Sequence, residues 1–82
     1  MVSGNLLIDK GAQNALLRKG SSLLEVGVVE VQGEFGIGDI VSITGPDGAE
    51  LGRGLSDKSS TELKTGERSG VVIHRNNLFL RD

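Results

Sequence analysis

His74 is the only histidine of the 82-residue chain, and there is no cysteine. A serine–histidine–carboxylate triad needs its serine presented on a sharp strand-to-helix turn, and no serine here lies in such a sequence. A lone histidine in a terminal strand is more often structural than a general base. His, Asp and Glu nowhere recur at metal-ligand spacing, so no metal and no cofactor is expected. Gly33, Gly36 and Gly38 have the composition of a phosphate-cradling loop. They precede a strand, however, rather than a helix whose N-terminal amides would meet the phosphate, and are read as a turn. These observations argue against an autonomous enzyme and for a binding or regulatory module.

Binding chemistry is concentrated in the cations. Net charge is −2, which argues against indiscriminate binding to polyanions, but the charge is unevenly spread. Residues 25–50 hold six acids and no base, giving −6, while residues 1–24 and residues 51–82 each carry +2. If the first helix and the last strand lie side by side, Arg18, Lys19, Arg75 and Arg81 form one weakly basic face. The plainer reading of the same residues is ordinary solubilising charge. Phe35 and Phe79 are the only aromatics. Both fall in strand patterns and are expected in the core, which leaves no exposed ring on which bases would stack.

The elements that must position these residues are set by spacing. Thirteen glycines against one proline suit short strands and tight turns better than a helical bundle. Residues 6–8 read as a first strand. Asp9 is a helix N-cap, Ala12, Ala15 and Leu16 recur at helical spacing, and Gly20 ends a helix expected over Lys10–Lys19. Residues 26–35 alternate, with Val29, Val31 and Phe35 inward and Glu30, Gln32 and Glu34 outward. Residues 39–44 and 49–56 pair through the turn Gly45-Pro46-Asp47-Gly48, and Gly52 and Gly54 mark a bulge or a close backbone approach. Ser59 and Glu62 form a capping box for a helix of one or two turns closed by Gly66. Residues 71–74 and 78–80 are final strands joined through Asn76 and Asn77. One domain spanning residues 1–82 is expected. No apolar run of about 18 residues is present, so no membrane-spanning helix is expected, and nothing resembles a secretion signal. A cytoplasmic location is the default.

Several segments, in order, resemble the PUA domain family, in particular the branch attached to bacterial glutamate 5-kinases. They are residues 4–11 (GNLLIDKG), 19–27 (KGSSLLEVG), 31–39 (VQGEFGIGD), 46–48 (PDG), 53–55 (RGL), 59–63 (SSTEL) and 72–80 (VIHRNNLFL). Two features depart from that branch: a shorter segment after SSTEL, and Glu25 where many relatives carry a proline or a small residue. The resemblance implies a mainly β mixed-sheet pseudo-barrel with short helices. It also implies a parent protein that is an ATP-dependent kinase of proline biosynthesis, whose amino-acid kinase domain would be a partner. In RNA-modifying relatives the first helix, the glycine loop after it and the C-terminal strand grip structured RNA. Carried over, these regions give Arg18, Lys19, Gly20, Ser21, Ser22, His74, Arg75 and Arg81 as candidate RNA-binding residues. The alternative is a regulatory or oligomerisation domain that binds no nucleic acid.

Overall fold

The structure is a computed structural model that describes residues 1–66 and 69–81. Glu67, Arg68 and Asp82, which contribute to the charge of the last block, lie outside the described residues. The strands are β1 (Gly4–Ile8), β2 (Leu23–Leu24), β3 (Val28–Gly33), β4 (Ile40–Thr44), β5 (Glu50–Leu55), β6 (Val71–Ile73) and β7 (Leu78–Leu80); the helices are α1 (Lys10–Lys19) and α2 (Ser60–Thr65). Five strands form a mixed sheet in the order β3-β1-β4-β5-β7, and β2 pairs with β6 in a second, two-stranded sheet. β1 lies inside the sheet, antiparallel to β3 and parallel to β4, which is the middle strand.

Alternation explains β1. Leu6 and Ile8 face inward and are fully buried, while Asn5 faces outward, where its Oδ1 accepts from the Ser42 and Thr44 hydroxyls at 2.7 and 2.8 Å. Val41 and Ile43 of β4 extend the inner face. Leu16 of α1, Leu23 of β2, Val72 and Ile73 of β6, and Leu63 of α2 close over it into one core. The expected mainly β, mixed-sheet architecture with two short helices is thus the one observed.

Local signals held where they were local. The Asp9 carboxylate accepts from the Ala12 amide at 2.7 Å, and α1 ends at Gly20, whose φ of 62° is left-handed. Ser59 and Glu62 complete a reciprocal capping box on α2. The 45–48 turn closes with the Gly48 amide on the Gly45 carbonyl at 3.0 Å, with Gly48 at φ 88°.

Three expectations are corrected. The strand expected over residues 26–35 begins later: Glu25–Gly27 form a 3₁₀ turn, and Phe35 lies past the end of β3. Val29 points outward and is 55% exposed, because the register between β1 and β3 shifts: Leu7 pairs with Glu30 but Ile8 pairs with Val28. This bulge lets Val28 replace Val29 on the inner face. Phe79, expected in the core, is 63% exposed, because its neighbour Leu78 takes the core-facing position; Phe35 is buried as expected.

Gly52 and Gly54 mark a close approach. A Cβ on Gly52 would lie 2.5 Å from the Phe79 carbonyl oxygen and 2.7 Å from the Leu80 Cα, and one on Gly54 would lie 2.7 Å from the Ile73 Cγ2. The missing side chains allow β7 and β6 to settle against β5.

Candidate nucleic-acid interface

Arg18 and Lys19 occupy the last turn of α1, where the partial negative charge of the helix end favours cations. This role alone accounts for their type. The course of the chain after α1 places the loop that follows them beside the C-terminal segment. The Gly20 and Ser21 amides both fold back onto the Ala15 carbonyl. The chain then enters β2, and Leu23 pairs with Ile73 of β6. Residues 20–22 and 74–75 therefore flank the same two-stranded ladder. The Ser22 Oγ accepts a hydrogen bond from the Arg75 amide at 2.9 Å, across 53 residues of sequence. Arg75 opens a 3₁₀ turn, Arg75–Asn77, closed by the Asn77 amide on the His74 carbonyl at 2.8 Å.

His74 is exposed, and its Nε2 lies 3.5 Å from the Asp57 Oδ2. Arg18, Lys19 and Arg75 are exposed and form no ion pair among the described residues. Beside them runs a groove of about 330 Å³ between α1 and β2, lined by Ala12, Ala15, Ser21, Ser22, Leu24 and Val26. Leu24 and Val26 form an exposed apolar wall. Guanidinium, ammonium and hydroxyl groups around an apolar groove suit phosphate and ribose contacts along a shaped backbone. Sequence reasoning missed the groove wall. The small residues Ala12 and Ala15, one helical turn apart, were its only signal.

Arg81 lies apart. Its amide donates to the Leu51 carbonyl at 2.8 Å, beyond the far end of β7 from Arg75. Its neighbours are Glu50, Arg53 and Phe79. Seven of the eight candidate residues thus flank the β2–β6 ladder or end α1, and the eighth lies at a second place. Among the described residues no three His, Asp or Glu side chains form a metal-holding group, and no helix is long and apolar enough to cross a membrane.

A mixed sheet with the first strand in its interior, and a glycine-ended helix leading into a short strand that pairs with β6, is the arrangement of a known family. The PUA domain model matches residues 4–76, and the chain belongs to that family. The chain is 44% identical to the glutamate 5-kinase of Trichlorobacter lovleyi over 92 positions, covering 95% of this chain and 24% of the kinase. It is 46% identical to the glutamate 5-kinase of Dictyoglomus thermophilum, covering 94% of this chain and 24% of the kinase. The chain therefore spans about a quarter of the length of the curated relatives it matches, and the 82 residues lack the remainder of those kinases. Among solved structures, a PUA domain from Aeropyrum pernix in complex with tartrate aligns with a TM-score of 0.78 at 32% identity, covering 89% of this chain and 41% of that one. An archaeal box H/ACA ribonucleoprotein aligns with a TM-score of 0.76 at 19% identity, covering 96% and 23%. At that identity it speaks for the fold alone.

Proposed function

We propose that this PUA domain binds structured RNA through the α1–β2 loop and the 74–75 segment, as an accessory domain of a glutamate 5-kinase. The observation that carries the reading is the hydrogen bond between Ser22 and the Arg75 amide. It joins two segments far apart in sequence into one rim, with cations on both sides of it that form no ion pair among the described residues. Gly20, Ser21 and Ser22 offer backbone and hydroxyl groups at the rim, His74 and Arg75 flank it, and Arg18 and Lys19 supply charge.

The test is an NMR titration of the labelled domain with a pool of RNA hairpins at low salt. Shifts are expected at residues 18–22 and 74–75, and they should fade as salt rises. Each duplex phosphate contact adds about 0.9 to the salt slope, so Lys19→Ala and Arg75→Ala should each lower it by about that amount. Silence at these residues at tens of micromolar protein would sink the proposal.

The identity to glutamate 5-kinases favours a second reading, a regulatory or assembly domain for the kinase that binds no nucleic acid. Removing the corresponding region from a full-length relative should then alter feedback inhibition or oligomer size. If both stay unchanged, this reading fails.

A further inference from the structure

Phe79 stands at the middle of β7 with most of its ring in solvent. Across the ladder it pairs with Arg53 of β5, and Arg81 follows it by two residues, the spacing that returns a side chain to the same face of a strand. Together with Glu50 these side chains border an open depression of about 350 Å³, within the range of small-ligand sites, about 300–1,000 Å³. The Glu50 Oε2 holds the Arg53 Nε at 3.3 Å. That contact steadies the guanidinium by one edge and leaves its terminal amino groups for another acceptor. Arg81 forms no ion pair among the described residues. Among the described residues that border the depression, two cations stand against one carboxylate, on a chain of net charge −2.

We propose that this depression is a second binding site, separate from the loop interface, that takes one unpaired nucleotide of a single-stranded RNA. The base stacks on Phe79 and its phosphate is held by Arg53 and Arg81. A planar aromatic partner explains an exposed ring at this position, and a phosphate explains two arginines bordering the same depression. The chemistry differs from that of the loop groove, which holds no ring. The choice of a ribonucleotide rests on the reading of the chain as an RNA binder. The site itself lies along β5 and β7, with Arg81 beyond the opposite end of β7 from Arg75.

The test uses the 82-residue chain, a single-stranded tetra-adenylate RNA, and the same backbone carrying abasic sugars. The base-bearing RNA should move the Phe79 ring resonances upfield through the ring current of a stacked base. The abasic backbone should bind between about fivefold and a hundredfold more weakly, as loss of a stacked base does, and should leave the ring unmoved. Phe79→Ala should reduce the base-bearing RNA to the abasic level, while Phe79→Trp keeps the affinity. Arg81→Ala should weaken both RNAs and lower the salt slope by about 0.7. Equal binding of the two RNAs, or an unmoved Phe79 ring, overturns the site whatever hairpin RNAs do at residues 18–22. A shifted ring with hairpins silent at residues 18–22 upholds it and removes the loop interface instead. The comparison of the two RNAs needs no variant, so a substitution that disturbs folding cannot mask the result.

Discussion

Glu25 is the one charged side chain carried inside the core among the described residues, at 2% exposure. A carboxylate there needs a partner, and Lys58 supplies it: Nζ lies 2.7 Å from the Glu25 Oε1 and also donates to the Ser69 carbonyl at 2.7 Å. The second oxygen, Oε2, has no hydrogen-bond partner among the described residues. A pair of this kind is costly to break and of little net value to keep. Lys58→Met should therefore cost about 2–4 kcal/mol in urea unfolding, less than for a sealed pair because Lys58 remains partly in water. Replacing both residues, with Glu25→Leu added, should recover most of that loss; a double variant as unstable as the single one would refute the account. The unusual type of Glu25 was legible in the sequence, but its partner, 33 residues away, was not. Phe79 was misplaced for a related reason. Three consecutive apolar residues on a strand cannot all face the core, and only the pairing of Leu78 with Gly54 and Phe79 with Arg53 decides which one turns out.

Among the elements, those set by neighbours in sequence were legible and those set by partners were not. Asp9, Gly20, Ser59, Glu62 and the 45–48 turn act within five residues of themselves, so their chemistry could be read directly. The start of β3 could not, because the bulge that selects Val28 over Val29 exists only in register with β1. Gly52→Ala places a Cβ against backbone atoms of β7, which cannot rotate aside as a side chain would. It should cost about 1–3 kcal/mol and remove hydrogen-exchange protection from β7 before β1 or β4; uniform loss of protection would argue against a local clash. On α2, the hydrogen bonds from the Ser59 backbone and then its side chain hold the Glu62 carboxyl below the ordinary glutamate pKa. A depressed folded value gives stability that is present at neutral pH and is lost as pH falls through the acid range below the ordinary value. Glu62→Gln should therefore flatten the acid limb of the thermal midpoint against pH, and an unaltered limb would contradict the capping-box origin.

At the scale of the whole molecule, the class of fold was legible from glycine content, strand length and family-like segments, but the strand order was not. The parallel contact of β1 with β4 joins residues about 37 positions apart, and no local pattern announces it. The candidate interface divides in the same way. The 18–22 loop and residues 74–75 were found because family-like segments flank them. The separation of Arg81 depends on where β7 runs along β5, which is a property of the finished sheet.

The placing of β1 and β7 has a mechanical consequence. The first strand is held on both sides by its neighbours, whereas the last is held on one side by three residue pairs. A chain drawn taut between its ends would lose β7 by peeling, one pair at a time, while β1 still resisted sliding between β3 and β4. Tension would thus dismantle the Phe79 depression first and leave the core standing. A nucleotide lodged between β5 and β7 would act as a rivet on the strand that yields most easily.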